Sequence, residues 1–169
     1  MLLCSLTDEK FASAATTEAH KSILPMKHGC VAVSGGKIIA RGCNNYRTFS
    51  KDGLIHDTCS CHAEINVLRK CIKQNFKNKI NLYIVRISEE GEYRNSAPCN
   101  QCVSTLKQYN IKMIIYSTSE GTLEKYKLIH YTNNHMSGGE KAILYNRVMS
   151  RRMGKYIIYK DNLEHNPVK

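Results

Sequence analysis

The chain has 169 residues and a hydrophobic content of 42%, a size that favours one compact domain over two domains of ordinary length. Lys and Arg number 25 against 14 Asp and Glu, so the formal charge of +11 suits a phosphorylated or polyanionic partner. No stretch reaches transmembrane length, which excludes a membrane-spanning chain. We therefore expect a single domain over 1–169, with a helical region over 1–27 and an extension over about 138–169.

Eight cysteines would suit a disulfide framework in a small secreted chain, but the first residues lack the basic region of an export signal. Two of the cysteines, Cys99 and Cys102, have the spacing of metal ligands instead. We therefore expect a reducing, intracellular environment, and specifically the cytoplasm.

In the first third of the chain, Thr7 is the expected cap of a helix that runs to about His20. Cys30–Val33 and Lys37–Ala40 flank Ser-Gly-Gly, a pattern that predicts two antiparallel strands joined by a tight turn. The polar residues 45–60 predict a loop.

Ser60 is the expected cap of a second helix that begins near Cys61. Within that helix, Ile65, Leu68 and Ile72 predict one apolar face. Branched residues over Ile80–Ile87 predict a strand, and Pro98 suits the first turn of a helix that ends near Tyr109.

Ile111–Tyr116 and the alternating segment Leu123–Tyr131 predict a second antiparallel pair of strands. Ser137 is the expected start of a last helix that runs to about Arg152. An extended segment over Tyr156–Tyr159 follows it.

Two fragments carry the chemistry, Cys61-His62-Ala63-Glu64 and Pro98-Cys99-Asn100-Gln101-Cys102. Cys99 and Cys102 share a face of the first turn of a helix, where the helix dipole lowers the pKa of a thiol. With His62 as the third ligand, zinc would keep an open position for water, as catalytic zinc does. Glu64 is close enough to take the water proton and later give it to a departing amine.

The conjunction of H-x-E and P-C-x-x-C matches the signature of the zinc deaminases. Together with the Gly-turn hairpin and Gly42-Cys43-Asn44, these fragments resemble the cytidine and deoxycytidylate deaminase superfamily over about residues 28–117. The resemblance implies a three-layer α/β/α fold with a mixed sheet of about five strands and zinc between two helix ends. It also implies a homo-oligomer.

The same resemblance implies the substrate contacts. Ala63 would offer its backbone N–H to the base carbonyl, and the backbone around Ser96 and Ala97 would accept from the exocyclic amine. Asn44 would hold the sugar or base, with Asn45 as the alternative if the strand end is shifted. Aromatic residues of the 45–60 loop, Tyr46, Phe49 and His56, could stack on a base or stand in solvent.

Three functions remain open from the sequence. The first is hydrolytic deamination of cytosine to uracil on a nucleotide or nucleoside, with release of ammonia. The second keeps this chemistry but acts on tRNA or single-stranded DNA, with basic stretches over 69–79 and 141–160 tracking the backbone. The third is a non-catalytic binding protein whose zinc is closed by a fourth ligand, Cys59 or Cys61.

Overall fold

The computed structural model describes residues 1–56 and 58–145, and the backbone of 148–151 and 155–158. The helices are α1 (Leu6–Ala19), α2 (Ala63–Lys73), α3 (Asn100–Leu106) and α4 (Gly138–Leu144), with a 3-10 turn at Leu128–His130. The strands are β1 (Lys27–Ser34), β2 (Lys37–Cys43), β3 (Ile80–Ile87), β4 (Tyr93–Arg94), β5 (Ile111–Ser117), β6 (Leu123–Lys127), β7 (Val148–Arg151) and β8 (Lys155–Ile158). Among the described residues, no helix has both the length and the apolar character needed to span a bilayer.

The main sheet is mixed and has the strand order β2-β1-β3-β5-β6, with the short β4 paired to the end of β3. Strands β3 and β5 are parallel, because α3 carries the chain back across the sheet between them. The other pairs are antiparallel, including the predicted β1–β2 and β5–β6 pairs. The predicted mixed sheet is therefore confirmed. Strand β4 was not predicted, because two residues are too few to show a strand pattern in the sequence.

Helices cover both faces of this sheet, as the predicted three-layer fold requires. On one face, α1 packs through Phe11 and Ala15 onto strand residues such as Val31 and Ile115. On the other face, α2 and α3 pack Leu68 and Leu106 against the opposite side of the same strands. Alternation of side chains along each strand supplies both cores.

Helix ends differ from the predicted ones by a few residues. Ser5, and not Thr7, caps α1, because its hydroxyl accepts from the Asp8 N–H while the Asp8 carboxylate accepts from the Ser5 N–H. Helix α2 begins two residues after the position expected from Ser60, with His62 at the N-cap. Ile65 and Leu68 are buried as predicted, whereas Ile72 is 38% exposed.

Two helices of the C-terminal half also end earlier than predicted. Helix α3 has Cys99 at its N-cap and ends at Leu106, short of Tyr109. Ser137 caps α4 through a capping box as predicted, but α4 ends at Leu144, and Val148–Arg151 is a strand. The expected strand near Tyr156 is β8, which pairs with β7, and its predicted end at Tyr159 lies outside the described residues.

Candidate zinc centre and substrate cavity

The two motif fragments meet where α2 and α3 begin. His62 at the N-cap of α2 and Cys99 at the N-cap of α3 place their side chains side by side, and Cys102 lies one turn into α3. His62 Nδ1 is 3.2 Å from Cys102 Sγ and 3.6 Å from Cys99 Sγ. Within the described part of the chain, these three residues form the group that could hold a metal ion, with ligand atoms within 4.8 Å of one another.

The donor set and its spacing fit zinc. Tetrahedral zinc with ordinary Zn–N and Zn–S bond lengths places a nitrogen and a sulfur ligand about 3.6 Å apart. The two N–S distances given above are close to that value. One imidazole and two thiols leave the fourth position of a tetrahedral ion open, which is the arrangement of catalytic zinc.

The protonation of the three ligands is coupled. The Cys102 thiol donates to Cys99 Sγ, which lowers the pKa of Cys99 to about 6 although burial opposes this. The pKa of Cys102 rises because its proton is held by Cys99 and because the residue is buried. Burial disfavours a charged His62 ring, but its hydrogen bond with Cys99 and the charge of Glu64 raise its pKa to about 9. Metal binding at these ligands would therefore release protons.

Cys59 and Cys61 stand outside this group. The Cys61 thiol donates to the backbone oxygen of its neighbour His62 at 3.4 Å, and the Cys59 thiol donates to the Gly139 oxygen at 3.7 Å. Neither sulfur has the place of a fourth ligand among the described residues. The arrangement therefore does not support the closed zinc cage.

A cavity of about 400 Å³ opens beside the three ligands. Five residues that the family resemblance assigns to substrate contact or proton transfer line it, namely Asn44, Ala63, Glu64, Ser96 and Ala97, together with His62 and Cys99. Glu64 is only 4% exposed, so its carboxylate belongs to the cavity and not to the outer surface.

Backbone groups in the cavity have free hydrogen-bonding capacity. The Ala63 N–H is the first of α2 and so has no partner within the helix. The N–H of Ser96 donates to the Ser117 oxygen, and the Ser96 hydroxyl donates to the Ile84 oxygen, so both bonds hold this segment in place. No described group donates to the Ser96 carbonyl oxygen, which is therefore available to a ligand. The Ala97 N–H donates to Asn95 Oδ1.

Asn44 lines the cavity, but its amide is largely engaged. Its Oδ1 accepts from the Ser22 hydroxyl at 2.6 Å and from the His28 N–H at 3.0 Å, and its Nδ2 donates to the Met26 oxygen at 2.6 Å. One Nδ2 hydrogen is left for a ligand. The neighbouring Asn45 pairs with Cys61 through its backbone and is absent from the cavity lining.

The predicted aromatic residues of the loop do not line this cavity. Tyr46 and Phe49 are each 60% exposed, and His56 lines another cavity, of about 460 Å³, to which His62 and Cys102 also contribute. Sequence reasoning missed other lining residues, notably His28, Arg86 and His135. His28 lies on β1 just before a run of buried residues, and burial lowers its pKa. Only tertiary structure brings the other two to the cavity.

Arg86 and His135 also line a second cavity of about 600 Å³, which adjoins the first. The wall of this tyrosine groove is formed by Tyr116, Tyr126 and Tyr131, whose ring centroids lie 5.2 to 6.0 Å apart. Arg86 is partly buried and forms no ion pair with any carboxylate of the described residues.

Comparison with known proteins agrees with this geometry. The family described as the cytidine and deoxycytidylate deaminase zinc-binding region matches residues 5–118. Deoxycytidylate deaminase from Schizosaccharomyces pombe is 29% identical over 129 residues, which cover 66% of this chain and 37% of that protein. The chain thus spans well under half the length of this curated relative.

Two solved structures have a similar fold. The cyanophage S-TIM5 dCMP deaminase in complex with dCMP and dUMP matches with a TM-score of 0.52 and 22% identity, covering 68% of this chain and 83% of the other. Cytidine deaminase from Burkholderia pseudomallei matches with a TM-score of 0.54 and 18% identity, covering 71% and 91%. With the match over 5–118 and the ligand group at the two helix starts, the chain belongs to the cytidine and deoxycytidylate deaminase family, in which this region binds zinc.

Proposed function

We propose that the chain is a zinc-dependent hydrolase that deaminates the cytosine base of a free nucleotide, giving uracil and ammonia. His62, Cys99 and Cys102 are the zinc ligands, and Glu64 is the proton carrier. The observation that carries this proposal is the buried Glu64 carboxylate, which shares one cavity with His62 and Cys99. A non-catalytic zinc site has no use for a desolvated carboxylate at this position.

When bound, zinc supplies a water molecule whose pKa is near 7 in place of about 15.7. The Glu64 carboxylate would take a proton from the attacking water and give it to the ring nitrogen next to the carbon that is attacked. It then moves a second proton to the amine, so that ammonia leaves as the carbon–nitrogen bond breaks. One water is consumed and one ammonia released.

Backbone and amide groups hold the base and sugar in this proposal. The free Ala63 N–H donates to the base carbonyl, and the Ser96 carbonyl accepts from the exocyclic amine, with the Ala97 backbone beside it. The remaining Nδ2 hydrogen of Asn44 donates to a sugar hydroxyl or to the base. These contacts read the edge of cytosine that carries both a donor and an acceptor.

Arg86 supports a phosphorylated substrate over a free nucleoside. Its guanidinium lies at the junction of the cavity and the tyrosine groove, and it has no carboxylate partner among the described residues. A partly buried, unpaired guanidinium is suited to a phosphate, which it can bind through two parallel hydrogen bonds.

The test compares Glu64→Gln with the wild-type chain, both loaded with zinc. Ammonia release is measured with cytidine, deoxycytidine, CMP, dCMP, single-stranded DNA and tRNA. We expect dCMP or CMP to be the best substrate, and Glu64→Gln to keep its zinc while losing turnover by a factor of about 10² to 10⁴.

Glu120→Gln, a change of an exposed turn residue, is the matched control and should keep full activity. Equal activity of Glu64→Gln and the wild type would refute the catalytic role. Turnover of tRNA or single-stranded DNA alone would replace the free nucleotide by a polynucleotide as substrate.

A further inference from the structure

A segment beyond the family-matched region crosses the substrate cavity. Residues 131–140, called the strap below, connect the 3-10 turn after β6 to the first turn of α4. His135, Ser137, Gly138 and Gly139 of the strap line the cavity that contains Glu64. The substrate cavity therefore has a wall that the family match over 5–118 does not include.

One side chain ties the strap to the start of α3. Asn133 Nδ2 donates to the Pro98 oxygen at 2.9 Å, and Asn133 Oδ1 accepts from the His135 N–H at 2.9 Å. The His135 oxygen in turn accepts from the Asn100 N–H at 2.9 Å. The first and last of these bonds join the strap to the residues on either side of Cys99, and the second fixes Asn133 to His135 within the strap.

The far end of the strap rests on the other ligand-bearing loop. A Cβ added at Gly139 would lie 3.3 Å from Cys59 Cβ, so glycine allows the strap to approach the residues that precede His62. The strap thus contacts both loops that lead into α2 and α3. Displacing it would remove one wall of the cavity without removing a metal ligand.

We propose that Asn133 is a positioning residue that holds His135 and the strap over the substrate cavity, where the strap selects and retains the substrate. This inference rests on the proposed function, because it assigns a role in binding the nucleotide. His135 and Arg86 both lie at the junction of the cavity and the tyrosine groove, since both residues line both spaces. The strap therefore meets the part of a nucleotide that lies beyond its base.

The first test replaces Asn133 by Ala and uses Asn134→Ala as the matched control. Asn134 is the exposed neighbour, and its side chain has no hydrogen bond among the described residues. We expect Asn133→Ala to raise KM for the nucleotide about tenfold while kcat changes by less than about threefold, because the wall is misplaced but the proton carrier is not. Zinc content and Tm should stay close to those of the control.

Two outcomes of this test would overturn the inference. One is identical KM values for the Asn133 and Asn134 variants. The other is a fall in kcat and zinc content at unchanged KM, because that result would assign Asn133 to the structure of the zinc site alone.

A second test locates the strap without measuring activity. Gly139→Cys places a new Cβ 3.3 Å from Cys59 Cβ, so that a shift of a few tenths of an ångström brings the pair to disulfide geometry, whereas Gly138→Cys faces open space and is the control. Mild oxidation of the zinc-loaded variants, followed by peptide mass mapping, should give a 59–139 disulfide in the first variant and none in the second. Equal cross-linking in both variants, or in neither, would contradict the strap position.

The two tests separate this inference from the proposed function. If the wild-type chain deaminates none of the nucleotides but the 59–139 disulfide forms, the proposed function fails and the strap position stands. If the wild type deaminates dCMP or CMP but the Asn133 variant matches its control, the inference fails alone.

Discussion

At the scale of single residues, two neighbouring side chains differ in their access to the ion site. His62 directs Nδ1 at the sulfurs of Cys99 and Cys102, whereas the Cys61 thiol is turned to the backbone oxygen of His62. Alternation of side chains along an extended segment accounts for this, because the chain enters α2 through an extended His62. The ligand role thus follows from backbone direction as well as from residue type.

A serine scan of the cysteines checks this distinction. Cys102→Ser should lose most of its zinc, because a hydroxyl does not ionise at neutral pH and binds zinc far more weakly than a thiolate. Cys61→Ser, at an equally buried site, should keep about one zinc per chain. Zinc per protein, measured by atomic emission after dialysis, decides the case. Loss of zinc from both variants would bring Cys61 back as a ligand.

The motif residues were predictable because metal binding restricts both residue type and spacing over a few positions. The positions of Asn133 and His135 were not predictable, because they depend on a loop that returns to Pro98 from 35 residues away. The residues next to Arg86 in the sequence do not predict its position at the cavity either. Whether its guanidinium has a carboxylate partner depends on which residues lie near it in the fold.

Asp8 links residue chemistry to the stability of the whole domain. Its buried carboxylate pairs with Lys125 Nζ at 2.8 Å and accepts from the Tyr83 hydroxyl at 2.8 Å and from the Ser5 N–H. Burial opposes the charge, but these hydrogen bonds, led by that of Lys125, outweigh it and lower the pKa of Asp8 to about 2. A carboxyl whose folded pKa lies below its unfolded value stabilises the fold above the unfolded pKa.

Asp8→Asn should therefore lower the free energy of unfolding by about 1 to 2 kcal/mol near pH 7, allowing for solvent screening. The difference from the wild type should shrink as the pH falls from about 4 toward 2, where the wild-type carboxyl also becomes neutral. Urea unfolding at a series of pH values measures it. Glu9→Gln, an exposed change in the same helical turn, is the control, and a pH-independent deficit in Asp8→Asn would contradict the linkage.

At the scale of elements, the sheet was more predictable than the helix ends. Gly35 and Gly36 have positive φ values of 55° and 74°, so the Ser-Gly-Gly turn closes the β1–β2 hairpin as expected. Helix starts were less certain, because several Ser and Thr residues near a start can serve as caps. Ser5, and not Thr7, is the N-cap because Asp8 lies three residues after Ser5 and completes the capping box.

The contact between α1 and the sheet depends on Gly29 of β1. A Cβ at this position would lie 2.0 Å from the Ala15 oxygen and 2.3 Å from the Ala19 N, both of which are backbone atoms. Because backbone cannot move aside as a side chain can, Gly29→Ala should push α1 from the sheet. We expect a loss of at least about 2 to 3 kcal/mol in the free energy of unfolding.

Gly138→Ala is the control for this prediction, because a Cβ there meets open space and the residue lies in the first turn of α4. Its free energy of unfolding should stay within about 0.5 kcal/mol of the wild type. Chemical denaturation of both variants in zinc-loaded form gives the comparison. Similar stability of Gly29→Ala and the control would show that α1 sits farther from β1 than described.

At the scale of the whole molecule, part of the positive charge lies away from the cavity that contains Glu64. Lys73 and Lys77 are exposed at the C-terminal end of α2 and just beyond it, whereas Glu64 lies at the N-terminal end. Nine residues of helix separate Glu64 from Lys73, which is about 14 Å. Exposed charges at this distance are largely screened at physiological ionic strength. Lys73 and Lys77 are therefore too far from the cavity to act strongly on a small ligand in it, whereas Arg86 lines the cavity.

The strap shows why the sequence could not define the whole site. The hairpin that ends in β6 was predictable from alternation, and so was the capped start of α4, but the path between them was not. No periodic pattern specifies residues 131–137, and their position follows from the hydrogen bonds of Asn133 and His135 with residues near Cys99. The proposed site therefore combines candidate zinc ligands that a local motif defines with cavity-lining residues that come from distant parts of the chain.

Charge placement gives a test that separates a mononucleotide from a polynucleotide substrate. The double variant Lys73→Glu/Lys77→Glu removes two exposed cations and adds two anions far from the cavity. For a free nucleotide, we expect kcat/KM to stay within about threefold of the wild type between 50 and 200 mM salt, values chosen to span strong and weak screening. A steep fall of kcat/KM with salt in the wild type, abolished in the double variant, would place the backbone of a polynucleotide substrate along α2.

Arg86→Gln tests the proposed phosphate contact. The variant should reduce the preference for dCMP over deoxycytidine, measured as the ratio of the two kcat/KM values, by about tenfold or more, because a charge-assisted phosphate contact is lost.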